Sequence, residues 1–169
     1  ITRIARDHEA LLGDTLGAIA REKAGILKPG VPCVLGPSLA PGSGEARAAI
    51  EAVAETVGAP LVDATAAVRA MGRGRVAFAF AGVTVEAAMA LSGAHQHENL
   101  ATALGVLEVL RAQGVALTAD TVSAGVAAAR WPARVERLGE VIVDAAHNPD
   151  GVEALVRALP DALDGARVG

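Results

Sequence analysis

One stretch constrains this chain more than any other: Asp7 to Lys28, DHEALLGDTLGAIAREKAGILK. Leu16, Ile19, Ala20 and Ala24 recur at helical spacing, so the stretch predicts an amphipathic helix. Asp14 is placed to cap it, its carboxylate accepting the free amides of the first turn. Gly25 stands where a left-handed C-terminal cap is wanted, and Ile26 where the hydrophobic closure follows. Pro29-Gly30 then turns the chain, and Val31 to Leu35 read as a buried strand.

Lys23 breaks the pattern. It falls on the stripe of Leu16, Ile19 and Ala20, where an amphipathic helix should carry no ammonium. Burying that charge without a partner costs several kcal/mol or forces deprotonation. Three outcomes satisfy the chemistry: the side chain snorkels to water, pairs with an acid or phosphate, or is converted. A neutral amine beside a metal can take up carbon dioxide as an anionic carbamate. His8, next to Asp7, reads either as a surface or satisfied core histidine or as a metal ligand.

Further along, a Pro/Gly/Ser loop spans Gly36 to Gly44. A helix follows from Glu45 to Val57, with Ala46, Ala49, Ile50, Val53 and Val57 on its apolar face and Gly58 at its end. Pro60 to Asp63 predicts a short strand, so Val31–Asp63 reads as a strand-helix-strand unit with a parallel pair. Gly72 and Gly74 mark a turn. Val76–Phe80 and Val83–Leu91 read as paired strands around Ala81-Gly82.

Three polar clusters come next. GAHQHEN, Gly93 to Asn99, opens a helix running to Gln113 through Leu100, Ala103, Leu104, Leu107 and Leu110, with Gly114 as its cap. Gln96 and Asn99 either satisfy first-turn amides or present their amide groups to a nucleotide. His95 and His97 read as structural. Thr118 caps a further helix, Ala119 to Ala129. In Trp131-Pro132-Ala133-Arg134-Val135-Glu136, proline disfavours helix at the tryptophan and marks a linker. Arg134 is there a solvated charge or a phosphate clamp, since a guanidinium suits bidentate binding of phosphate oxygens. Val141 to Asp144 reads as a strand, Ala145 to Pro149 as a tight loop, and Gly151 to Leu159 as a helix. A polar cluster past the carboxyl end of a parallel strand is where open α/β sheets place ligands. Capping accounts for Asn148 to Asp150 but gives Asp144 and His147 no task.

DHxxxLGxTxxxIAxEKAGIxK, GxHQxxN, WPxRxE and DxAHNP occur here in the order of the folylpolyglutamate synthase/dihydrofolate synthase family. This branch of the Mur ligase superfamily is the one the chain resembles. The motifs span residues 7 to about 152. The resemblance implies an α/β fold: part of a Mur-ligase-type P-loop ATPase central domain over residues 1–131, then a linker and the first strand and helix of a Rossmann-like C-terminal glutamate-ligase domain over 132–169. It implies His8 as a magnesium ligand and Lys23 as a carbamate beside the metal. It assigns ATP contacts to Asn99, Gln96, Arg134, Asp144 and His147. The expected activity is ATP-dependent ligation of L-glutamate to a folate or to dihydropteroate through an acyl phosphate, in a cytoplasmic monomer. EKAGI, and HQ in place of HN, favour this branch over the Mur-type ligases that join amino acids to a cell-wall precursor. A non-catalytic nucleotide-binding relative is the other alternative.

No G-x-x-x-x-G-K-[ST] phosphate loop occurs in these residues. In the family it lies N-terminal to DH. The chain opens on ITRIARDH and closes soon after a helix, so both ends read as cuts through a larger protein, and the 169 residues are expected not to catalyse ligation alone. Composition excludes other classes. A net charge of −4 argues against a nucleic-acid surface, which would show a basic patch. No run approaches the ~20 apolar residues of a membrane span. Cys33, the single cysteine, excludes an intrachain disulfide and reads as a small core residue.

Overall fold

A computed structural model describes residues 1–6 and 15–163. Asp7 to Asp14, and with them His8, lie outside the described residues. The chain divides into two compact units, Ile1–Ala66 with Glu98–Ala116, and Ala67–His97 with Leu117–Gly169.

The first unit holds helix α1 (Leu16–Lys23), strand β1 (Cys33–Leu35), helix α2 (Glu45–Val57) and strand β2 (Leu61–Asp63). Most of helix α3 (Ala94–Ala112) also belongs to it. β1 and β2 pair in parallel with Cys33 opposite Leu61, as the strand-helix-strand reading requires. The backbone of Ile1 continues this ladder. Its amino group donates to Val34 O, and Gly36 N donates to Ile1 O, both at 2.8 Å. Leu35 points to one face, into a cluster with Ile4, Ile19, Ala20, Ala24, Leu39, Ala46, Ala49 and Ile50 from α1, α2 and the connecting turns. Val34 points to the other, against α3 at Gly105. Helices therefore cover both faces, the usual condition of a parallel sheet. Burying each large apolar side chain there contributes about 1.5–3 kcal/mol.

Several local expectations give way to tertiary context. Thr15 caps α1, its side chain accepting from Ala18 N at 3.1 Å, while Asp14, the expected cap, lies outside the described residues. The carboxylate of Glu45 adds a second partner, accepting from Leu16 N at 3.1 Å and tying the start of α2 to the start of α1. Gly25 does not turn left-handed, because the helix tightens into a 3₁₀ turn over Ala24–Ile26 that closes through Leu27 N to Ala24 O. Ile26 is then 67% exposed instead of closing the cap. β1 begins at Cys33 and leaves Val31 exposed. In α3, Ala101 and Leu104 are buried while Ala103 is exposed, so the covered face lies to one side of the expected stripe.

One buried charge holds this unit together. Arg47, 7% exposed, donates to Asp63 at the end of β2, to Glu51 one turn on, and to Leu39 O. The bond to Asp63 holds the guanidinium pKa above its ordinary value against the opposing effect of burial, with Glu51 adding to it. A cation lost from water is tolerated here because its donors find acceptors.

The second unit is built on an antiparallel sheet in the order β3 (Arg69–Gly72), β4 (Arg75–Phe80), β5 (Val83–Ala88). Phe78 faces Val85 and Val76 faces Ala87, all four buried. Ala81 and Gly82 both take positive φ, 50° and 79°, the backbone of a two-residue primed turn. β5 ends at Ala88, short of Leu91. Helix α4 (Ala119–Ala128) packs on β5, and Thr118 caps it in a reciprocal box with Thr121. β6 (Glu136–Leu138) and β7 (Val141–Val143) form an antiparallel hairpin. Gly139-Glu140 turns the chain back, so the pairing of β7 among the described residues is antiparallel, with its immediate neighbour. Helix α5 spans Pro149–Leu163 and runs through Pro160.

Candidate functional site

In the second unit two loops are laced together, and they carry Arg134 on one side and Asp144 and His147 on the other. Asp144 follows β7. One of its carboxylate oxygens accepts from Ala146 N at 2.7 Å, and the other reaches across to Val135 N at 2.8 Å. Ala145 N donates to Ala133 O at 2.9 Å. Glu136, the first residue of β6, accepts from Ala133 N at 2.8 Å. Both amides flanking Arg134 therefore end on carboxylates, which makes these bonds charge-assisted.

The segment they hold is strained. Ala133 and Val135 sit at φ 55° and 49°. Left-handed backbone costs a residue with a β-carbon about 1–3 kcal/mol, and a β-branched one is a clear outlier. Val135 is buried, 6% exposed, while Arg134 between the two is exposed and makes no hydrogen bond or ion pair among the described residues. The arrangement offers a cation to solvent from a backbone fixed on either side.

His147 is exposed at the same loop. Its Nδ1 lies 2.9 Å from Ala145 O. A carbonyl only accepts, so Nδ1 carries the proton, and Nε2 is the ring's acceptor in the neutral form. Asn148 begins α5: its side-chain oxygen accepts from Gly151 N at 2.7 Å, and its carbonyl from Val152 N at 3.0 Å. The capping expected of Asn148 to Asp150 is present at Asn148.

The GAHQ segment approaches α5. A β-carbon on Gly93, whose φ is 104°, would stand 2.8 Å from both Ala158 Cβ and His95 Cε1, so only glycine fits. Gln96 is 5% exposed, and its amide nitrogen donates to His95 Nε2 at 3.0 Å. Asn99, one turn on, is exposed.

Lys23 is exposed at the end of α1, although Ala24 beside it is fully buried. Among the described residues no three His, Cys, Asp or Glu side chains converge as metal ligands would. Magnesium asks for oxygen ligands in near-octahedral array, and His8, the residue expected to ligate it, lies outside the described residues. Sequence reasoning placed Glu136 in the WPxRxE motif but gave it no task; the signal was its carboxylate two residues beyond an arginine.

No family model matches the chain. Curated proteins do. Folylpolyglutamate synthase of Lacticaseibacillus casei is 34% identical over 171 residues, 94% of this chain and 39% of that protein. Dihydrofolate synthase/folylpolyglutamate synthase of Bacillus subtilis is 34% identical over 182 residues, 99% of this chain and 41% of that protein. This chain is homologous to the folylpolyglutamate and dihydrofolate synthases. Its fold agrees: a solved complex of folylpolyglutamate synthase with AMPPCP and folate superposes with a TM-score of 0.75 at 32% identity, over 93% of this chain and 40% of that one. The chain spans about two-fifths of the length of the folylpolyglutamate synthases it matches. No helix among its described residues is long and apolar enough to cross a membrane.

Proposed function

We propose that this chain supplies the nucleotide-facing loops of an ATP-dependent ligase that adds L-glutamate to folates. The observation that carries the proposal is the laced pair of loops, which leaves both Arg134 and His147 exposed, in a chain whose fold matches the folylpolyglutamate synthases. In the reaction, the γ-phosphoryl group of ATP passes to the substrate carboxylate, giving an acyl phosphate and ADP. The amine of glutamate attacks the acyl carbon, phosphate leaves, the amide forms and the amine loses its proton.

The tasks left to the protein are positioning and stabilisation of negative charge. Arg134 clamps a phosphate through its planar fork of donors. His147 and Asp144 line the nucleotide side. Asn99 and Gln96 are assigned amide contacts to the nucleotide. His8 and Lys23 are assigned to magnesium, and since the described residues assemble no ligand set around Lys23, no step here runs through the ion.

The test is a chimera in which this chain replaces the corresponding stretch of the Lacticaseibacillus casei enzyme. Folate- and glutamate-dependent ADP release is expected, falling at least about a hundredfold in Arg134→Ala, the scale for loss of one charge-stabilising donor. A chimera that binds ATP yet releases no ADP under these conditions would sink the ligase assignment. Intact-mass analysis of the same protein reads a carbon-dioxide adduct on Lys23 directly.

A further inference from the structure

We propose that Glu136 is a positioning residue for nucleotide binding, acting through Arg134. This rests on the phosphate-clamp role given to Arg134 above and adds the device that sets it. Residues 133 and 135 take a left-handed backbone that alanine and valine do not choose. Each has its amide anchored by a carboxylate: Ala133 by Glu136 and Val135 by Asp144. Without these anchors the segment would relax to negative φ and swing the arginine away from its present direction. The two acids thus spend their charge on backbone N–H groups inside the loop pair, while the cation faces out. Anions meet the guanidinium first, although a carboxylate stands two residues along the chain.

The two anchors differ in a way that can be read. Glu136 holds Ala133 through one oxygen, Oε2. Glutamine keeps one carbonyl oxygen and can replace it. Asp144 uses both oxygens, one on Val135 N and one on Ala146 N. Asparagine would turn an NH₂ donor toward one of those amides and lose that bond. Charge alone would treat the two amide substitutions alike; acceptor geometry separates them.

The experiment has two arms. Amide hydrogen exchange on this chain reads the clamp itself. Glu136→Ala should speed exchange at Ala133, and Glu136→Gln should not. ATP affinity and kcat of the chimera read its consequence. Glu136→Ala should raise the KM for ATP about tenfold, the scale for losing one hydrogen bond to a charged group, with the larger effect on KM than on kcat. Glu136→Gln should stay within about twofold, and Asp144→Asn should behave like Glu136→Ala. In an Arg134→Ala background, Glu136→Ala should add no further loss, since it acts through that side chain. Additive losses, or equal losses in the glutamine and alanine variants, would overturn the positioning role. Unchanged exchange at Ala133 would overturn the clamp. Exchange that responds as expected in a chimera that binds no ATP at all would leave the clamp standing and remove both the nucleotide assignment and the role built on it.

Discussion

Ala133 concentrates the physics of the site in one residue. Its φ of 55° is paid for by hydrogen bonds to Glu136 and from Ala145, not by its own side chain. Glycine adopts that backbone without the steric penalty of a β-carbon. Ala133→Gly is therefore expected to stabilise the chain by about 1 kcal/mol, less what glycine adds to the entropy of the unfolded chain. The check is an increased midpoint of urea unfolding at unchanged slope. Arg47 behaves in the opposite sense. Truncating it to alanine strands Leu39 O and leaves Asp63 without its cation. The loss should be about 2–3 kcal/mol, at or below the lower bound for a fully buried pair, because the Asp63 side chain is 34% exposed and can rehydrate. Arg47→Lys should recover only part, since one ammonium cannot match the spread of a guanidinium. The pKa of Arg47 is raised on folding, so its contribution is fully present below the unfolded value and is lost only in strongly alkaline solution. A stability that fell between neutral pH and pH 9 would have to come from another group.

Between elements, α3 comes close to β1. A β-carbon on Gly105 would stand 2.9 Å from Val34 Cγ1 and 3.4 Å from Ala64 Cβ. Valine is stiff at χ1 and cannot simply swing aside. Gly105→Ala gains helix propensity but overpacks the helix–strand contact, and a net loss of about 1–2 kcal/mol is expected. Val34→Ala in the same chain should return much of it, so the pair is non-additive in a double-mutant cycle. The β4–β5 turn shows the reverse case. Ala81 holds φ 50° where asparagine is the favoured residue before Gly82. Ala81→Asn should raise thermal stability by about 0.5–1 kcal/mol, read as a higher Tm.

Across the whole molecule, the second unit leaves much apolar surface in water. Leu138 and Val141 on the hairpin are 57% and 60% exposed, and Val152 and Val156 on α5 are 47% and 59% exposed. Exposed apolar surface of this kind favours association. The chain should therefore self-associate with rising concentration, and Val156→Lys should shift sedimentation velocity toward the monomer. Unchanged sedimentation would show that this face is not the sticky one.

Much of this was legible in the residues. Periodicity located α2 and placed α3 and α4 to within a residue or two, because their apolar spacing and their caps, Gly58, Gly114 and Thr118, are local chemistry. The parallel pairing of β1 with β2 followed from the helix between them, and the motifs marked Arg134, Asp144 and His147 as residues to watch. What the sequence could not decide was whatever depends on how far a partner reaches. Lys23 lies on an apolar stripe yet is exposed, since a stripe predicts burial only where another element covers it. β7 pairs antiparallel with β6, because strand direction is settled by which neighbour the turn brings back. Glu136 acquired a task only when folding set its carboxylate against the amide of Ala133, in a backbone conformation that no propensity would have assigned to an alanine.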